Sequence, residues 1–268
     1  MKSGAEHITS RENLRLKHAR AVRDGKISDE IFVEGLRLAE EAAQFLEITQ
    51  CFYTTEFAET DRGAELLKKS NNIKTAIVSQ KLLESISDTK TPQGVVLLAR
   101  KPETGKQSLE AKLKSISNPL FVVLHEINNP ANAGAILRTA EAAGADGAIL
   151  TRKTADVFSP KSLRATMGAA FRLSLWTNAD FDETINFCRS NKIKTVCADV
   201  RAEKKHTEIY WRAASALLVG SEARGLTPEE ISATDEQTKI PMKSPVESLN
   251  AAVAAGIILY EIARQRDF

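Results

Sequence analysis

Cysteine is scarce in this chain. Its 268 residues include Cys51, Cys188 and Cys197 with no CxxC pair, so neither a disulfide framework nor a thiolate zinc site is expected. Histidine is as sparse: His7, His18, His125 and His206 stand alone, which leaves no metal-ligand spacing and no expected metal. No apolar run is long enough to cross a bilayer, and the opening MKSGAEHITSREN does not read as a signal peptide. The expected location is therefore a reducing cytoplasm. Net charge is small too, +2, so bulk charge alone implies no nucleic-acid partner, and the placing of the charges matters more.

What is present fits a soluble globular protein: 43% hydrophobic and 27% charged residues, with length for one large domain or two ordinary ones. SRENLRLKHARAVRDGK, residues 10–26, sets Arg11, Arg15, Lys17, Arg20, Arg23 and Lys26 at helical spacing around Leu14, Leu16, Ala19 and Val22. A solvated helix face is the plain reading of such a run, and a phosphate-contacting surface the sharper one. Strands are expected at 31–33, 51–53, 74–78 and 93–99, with helices over 36–45 and 65–70, which makes a small α/β unit. Residues 100–118 are polar, with Pro102 and Gly105, and read as a linker holding a short helix. The domains are thus 1–105, a linker at 106–118, and 119–268.

The second half begins with an apolar strand at 120–127, a turn at Asn129-Pro130, and a helix from about Asn132 to Ala143, before a strand at 148–150. Such a strand–loop–helix–strand unit puts the loop at the carboxyl edge of a parallel sheet. FSPKSLRATMGAAFR, residues 158–172, reads as a basic, closely packing helix. A strand at 216–219 breaks at Gly220 into GSEARGL, where Gly220 and Gly225 bracket Glu222 and Arg224. Last, IPMKSPVESLNAAVAAGIILYEIAR, residues 240–264, joins a polar cluster to a helix buried on most faces. Ser248 or Glu247 is the expected cap of that helix. Capping accounts for one polar residue there and not for Glu247, Ser248 and Asn250 together.

NNPANAGAILRTAEAAGADGAIL, LLVGSEARGL and IPMKSPVESLNAAVAAGIILYE resemble, in order and spacing, the three motifs of the SpoU/TrmH family of SPOUT-class RNA ribose 2′-O-methyltransferases. The stretch ahead of them, with its VEGLRL core, looks like the L30e-like RNA-binding domain that many members carry. The resemblance implies an α/β protein in two parts: a small L30e-like substrate-binding domain, then a SPOUT domain with a parallel sheet and a deep C-terminal trefoil knot. It implies S-adenosylmethionine as cofactor, an RNA partner and a homodimer. Residue by residue, the resemblance gives catalytic places to Asn132, Arg138, Glu222, Ser248 and Asn250, and cofactor contacts to Val219, Gly220, Ile240, Met242 and Leu249. It lends weight to Arg11, Arg15, Lys17 and Arg20 as RNA contacts. The sequence departs from the usual motifs at Ala131, and at Lys243-Ser244-Pro245, where a glycine usually sits. No GxGxxG opens a helix after a strand, so an ordinary Rossmann-type site is not expected.

The implied chemistry asks little of the protein beyond position. A 2′-hydroxyl is a weak acid and needs its proton taken or polarised, while the donor methyl on a sulfonium is already activated. Guanidinium stays protonated, so Arg138 is expected to bind a neighbouring phosphate and stabilise developing alkoxide charge. The expected substrate is 23S-type rRNA. The alternatives are tRNA, a base rather than a ribose, or a non-catalytic RNA-binding protein of the same fold.

Overall fold

The computed structural model describes residues 5–69 and 73–267, and it divides into two compact units. The first comprises the chain up to Pro102 together with Val157–Arg172. It contains β1 (Glu6–Ile8), α1 (Leu14–Arg23), β2 (Glu30–Glu34), α2 (Leu36–Phe45), β3 (Ile48–Tyr53), α3 (Thr55–Ala58), α4 (Asp61–Lys69), β4 (Lys74–Val78), α5 (Gln80–Ile86) and β5 (Val95–Arg100). The end expected for α4, Ser70, lies outside the described residues. The strands form one sheet in the order β1-β4-β3-β5-β2. β5 runs antiparallel to both β2 and β3, and β4 is parallel to β1 and β3. One face is sealed by Leu16, Ala19 and Val22 of α1 and Leu83 and Ile86 of α5, packed on Phe32, Phe52, Val96 and Leu98. This alternation of inward residues is what a period of two along each strand provides.

The second unit is made of 103–156 and 173–268. It opens with α6 (Lys106–Leu113), β6 (Leu120–Leu124), α7 (Pro130–Ala142) and β7 (Gly147–Thr151). The chain then gives α8 (Pro160–Thr166) and α9 (Ala169–Arg172) to the first unit, and continues with β8 (Ser174–Ala179), α10 (Phe181–Ser190), β9 (Lys194–Ala198), β10 (Ser215–Val219), α11 (Pro228–Ser232), β11 (Glu236–Thr238) and α12 (Ala251–Gln265). The six strands are all parallel, in the order β11-β9-β10-β6-β7-β8. β6, β7 and β10 are buried along their whole length, as expected of central parallel strands covered on both faces. Among the described residues no helix is long and apolar enough to cross a membrane.

Three expectations change. The stretch taken as a linker packs into the second unit: Leu109 of α6 is fully buried with Phe121, Ile149 and Trp176, and Gly105 N–H donates to Leu175 O at 2.9 Å. Leu109 also explains Gly147, where an added Cβ would lie 2.7 Å from the Leu109 Cδ2 and 2.6 Å from Ser174 O. The helix read over 158–172 is two short ones, split where Met167 (φ 50°) and Gly168 (φ 90°) turn left-handed. Those two helices join the first unit rather than the second. α8 packs on β2 and α9 on α2, Arg164 donates to Asp88 at 2.6 Å, and Arg172 pairs with Glu41.

α12 is fastened at its far end. Arg266 Nη1 donates to Asn118 O at 2.8 Å, Nη2 to Ala213 O at 2.6 Å, and Nε to Trp211 O at 2.8 Å. One residue earlier Gln265 bridges Trp211 N–H and Ile209 O. A guanidinium can satisfy several carbonyls at once because its donors spread in a fixed plane. Burial alone lowers its pKa, with Asp146 opposing.

Candidate active site

The site grows from the pairing of β6 with β10. The two strands are neighbours in parallel register, Leu124 beside Val219, and His125 N–H continues the ladder to Val219 O at 2.9 Å. Their carboxyl ends therefore release two loops side by side, 125–129 and 220–226. The first turns sharply because Glu126 is left-handed, φ 52°, which is why the strand stops at Leu124 rather than at the expected Ile127. Asn129 then caps α7, its side chain accepting from Ala131 N at 2.9 Å, with Pro130 in the first turn, where a missing N–H costs nothing. In the second loop Gly225 N–H closes on Ser221 O at 2.8 Å. A Cβ on Gly220 would meet Gly225 C at 2.7 Å and Leu226 N at 2.9 Å. Gly220 is thus needed for the loop to fold back on itself.

The closed loop delivers Glu222 to the start of α7. Its carboxylate accepts from Asn128 N at 3.0 Å, Asn129 N at 3.2 Å and Asn132 Nδ2 at 3.1 Å. Asn132 Oδ1 in turn accepts from Asn250 Nδ2 at 3.1 Å. Asn250, and not Ser248 or Glu247, caps α12: its Oδ1 accepts from Ala252 N at 2.9 Å and Val253 N at 3.3 Å. Asparagine suits this place because its extended backbone (φ −53°, ψ 138°) aims a short acceptor at the first turn.

The cap sets a direction. Helix N–H groups can donate only to Oδ1, so Asn250 must offer its Nδ2 to Asn132, and Asn132 must offer its own Nδ2 to Glu222. The chain of bonds runs one way, from the start of α12 to a carboxylate. Desolvation pushes the Glu222 carboxyl up, but the donors from Asn132, Asn128 and Asn129 outweigh it and hold its pKa below the ordinary value. Glu222 is ionised at neutral pH, and its lone pairs are largely spoken for.

Neighbouring charges hold the two loops. Arg224 donates to Glu126 at 2.8 Å, Lys153 reaches the same carboxylate at 3.2 Å, and buried His125 bridges Thr151 and Glu230 at 3.0 Å each. His125, Glu126 and Glu230 were not among the sequence candidates. The first two sat inside an expected strand, and only a left-handed residue, which has no sequence signature for glutamate, breaks it.

Other candidates are placed but not joined to this network. Arg138 lies exposed on α7, about 9 Å along the helix from Asn132 at 1.5 Å per residue, with no hydrogen bond or ion pair from its side chain among the described residues. Ser248 is exposed and Val219 buried, while Gly220, Ile240 and Met242 are half-buried. Within 241–249, among the described residues, the hydrogen bond made is Val246 N to Lys243 O. Val246 is 52% and Leu249 36% exposed. No cluster of His, Cys, Asp and Glu there could hold a metal, among the described residues. The expected RNA contacts on α1 are mostly engaged within the unit. Arg15 bonds Gln50 and Lys74 O at 2.9 Å each and pairs with Glu6, Lys17 pairs with Glu12, and Arg20 donates to Arg11 O.

Residues 119–260 match the SpoU rRNA Methylase family, and 7–97 match the MRM3-like substrate binding domain. The chain belongs to the SpoU rRNA methylase family. A Burkholderia 23S rRNA (guanosine-2′-O-)-methyltransferase, RlmB, is 33% identical over 75% of this chain and 81% of its own length. A mitochondrial rRNA methyltransferase 3A of Danio rerio is 29% identical over 92% of this chain, which spans 66% of that relative. The crystal structure of an AdoMet-bound rRNA methyltransferase from Sinorhizobium meliloti superposes with a TM-score of 0.83 at 27% identity, covering 97% of this chain and 98% of that one.

This SpoU protein is accordingly an S-adenosylmethionine-dependent RNA methyltransferase. Its residues suit that cofactor. The 241–249 loop leaves backbone donors and acceptors uncommitted beside exposed Val246 and Leu249, the combination that binds an adenine edge and covers its face. Glu222, joined to the start of α12 through Asn132 and Asn250, adds an ionised carboxylate complementary to a cationic donor.

Proposed function

We propose that this SpoU methyltransferase methylates a ribose 2′-hydroxyl in 23S-type rRNA. The observation that carries the reading is the one-way chain Asn250–Asn132–Glu222, which ties the start of α12 to the two loops at the carboxyl edge while Arg138 stays unpaired nearby. The 2′-O-methylating relative supports the choice of ribose over base. Val219, Gly220, Ile240, Met242 and Leu249 would hold S-adenosylmethionine, which supplies an activated methyl when bound. Glu222, with its lowered pKa and filled lone pairs, is a poor base and serves to fix the loops and face positive charge. Arg138 grips the phosphate next to the target and stabilises charge developing on the 2′-oxygen. The proton passes to that phosphate or to water. The knot implied by the motifs belongs to this reading, and the chain's return from β11, at one sheet edge, to α12 packed on α7 is compatible with it.

Incubation with methyl-labelled donor and rRNA from a strain lacking the gene is the test. After alkaline hydrolysis the label is expected in alkali-resistant dinucleotides. Label confined to mononucleotides means base methylation and overturns the reading.

The functional unit in this reading is a homodimer. Val253, Ile257 and Tyr260 of α12 are 52%, 38% and 53% exposed and fall at i, i+4 and i+7, an apolar stripe on one helix face. A second copy covering that stripe by a two-fold axis meets the same residues from the other side. Sedimentation is expected to show a dimer at micromolar concentration, and a monomer for Val253→Glu/Ile257→Glu. A wild-type monomer removes the dimer.

A further inference from the structure

His125 meets the 220–226 loop at both of its ends. At the start its backbone N–H donates to Val219 O at 2.9 Å. At the finish its ring Nε2 lies 3.0 Å from Glu230 Oε1, and the other oxygen of that carboxylate accepts from Thr227 N at 2.8 Å. Between the two ends lie Gly220, which the loop needs to fold back, and Glu222, which reaches the start of α7. The imidazole itself is closed off. His125 is 4% exposed, and the Phe181 ring stands edge-on to it at 4.7 Å. A ring so covered cannot meet an RNA hydroxyl, so methyl transfer does not use it directly.

The orientation of the ring follows from its surroundings. A carboxylate only accepts, so Nε2 carries a hydrogen and donates to Glu230. On the other side Thr151 Oγ1 accepts from Glu126 N at 3.2 Å and lies 3.0 Å from Nδ1. The hydroxyl has longer contacts to Leu124 O at 3.5 Å and Arg152 O at 3.4 Å, and Leu124 O already accepts from Thr154 Oγ1 at 3.0 Å. Its hydrogen therefore goes to Nδ1. The bonds run one way, from Glu126 N–H to Thr151, from Thr151 to His125, and from His125 to Glu230. Desolvation pushes the Glu230 carboxyl up, but Thr227 N–H, His125 and Arg224 outweigh it and keep its pKa below the ordinary value. Arg224, inside the loop, stands 3.8 Å from that carboxylate while it holds Glu126 at 2.8 Å. The end of β6 and the exit of the loop are thus drawn onto one group.

We infer that His125 is a positioning residue for the methyl donor: through Glu230 it closes the 220–226 loop in the shape that receives S-adenosylmethionine. The inference rests on the cofactor contacts proposed for Val219 and Gly220, and not on which atom of the RNA is methylated. A loop that keeps its binding shape about a tenth of the time raises the apparent Kd roughly tenfold. The loss of one bond to an ionised group is large enough to do this.

Calorimetry of S-adenosylmethionine with the full chain is the test, using substitutions that divide the ring. His125→Leu removes both side-chain bonds. His125→Gln puts an amide N–H where Nε2 stood and keeps the donor to Glu230. His125→Asn reaches only the Nδ1 side and loses Glu230. His125→Leu and His125→Asn are expected to raise the Kd roughly tenfold, and His125→Gln to stay within about threefold of wild type. Initial rates should show KM for the donor rising with its Kd while kcat at saturating donor and KM for RNA hold, since bound cofactor restores the loop. Hydrogen exchange at Gly225 N–H and Thr227 N–H is expected to quicken in His125→Leu and His125→Asn. A lower melting temperature with a wild-type Kd in His125→Leu overturns the inference, because it leaves only a structural role. Equal Kd in His125→Asn and His125→Gln overturns it too, and that comparison decides even where His125→Leu does not fold. Gly220→Ala, whose Cβ would meet Gly225 C at 2.7 Å, is the control and is expected to weaken binding. A wild-type Kd in Gly220→Ala as well as in His125→Leu fails the cofactor contacts themselves, which is a different result.

Discussion

Arg138→Ala is expected to lower kcat on RNA by about 10²–10³, the usual cost of removing a group that stabilises developing negative charge. The melting temperature should not move, because Arg138 is exposed on α7 and its side chain bonds nothing among the described residues. The Kd for S-adenosylmethionine, read by calorimetry, should also hold. Arg138→Lys separates two roles. A lysine keeps the charge but cannot give two parallel N–H donors to a phosphate, so it is expected to recover little. Steady-state assays give kcat, and single-turnover assays show whether the methyl-transfer step itself has slowed. Near-normal turnover in Arg138→Ala removes Arg138 from the chemistry, and full rescue by lysine leaves only a point charge.

Asn250→Asp is expected to separate stability from activity. An aspartate still accepts from Ala252 N and Val253 N, and its charge at the start of α12 is favourable, so the melting temperature should stay level or rise. Both of its oxygens accept, however, so the bond from Asn250 Nδ2 to Asn132 at 3.1 Å is lost. Asn132 must then turn its amide nitrogen toward residue 250 and present its oxygen to Glu222, opposing a carboxylate where it had donated to one. Activity is expected to fall roughly 10- to 100-fold, in line with about 1.5–3 kcal/mol for a bond within a charged network. Asn250→Ala is the companion: it loses cap and donor together and should cost about 1 kcal/mol of stability as well. Circular-dichroism melts and initial rates on the two variants give both readouts. Full activity in Asn250→Asp means the direction of the chain is irrelevant.

The parts of the fold legible in the sequence were those set by local pattern. LFVVL at β6 and SALLV at β10 are continuous apolar runs, and a strand buried on both faces needs nothing else. α12 announced itself by its run of alanine, isoleucine and leucine. What stayed hidden depended on partners far along the chain. Leu109 looked like part of a polar linker because its companions Phe121, Ile149 and Trp176 are distant in sequence. Residues 157–172 join the first unit through Arg164–Asp88 and Arg172–Glu41, pairs that no spacing reveals. Within the site, the motifs named Asn132, Glu222 and Asn250 as candidates. Which polar residue caps α12 was not readable, because Asn250, Ser248 and Glu247 are all fit for the part and only backbone direction chooses. The charge holding Glu126 in a left-handed turn was missed for the same reason.

The grip of Arg266 on Asn118 O, 148 residues upstream, has a bearing on biogenesis. Asn118 precedes the central strand β6 and is made early, but its carbonyl is held only once the turn carrying Arg266 has been made. Contacts so distant along the chain are slow to find one another. The second unit therefore stays unlatched while the residues between Asn118 and Arg266 are made, and a chaperone has that interval in which to act.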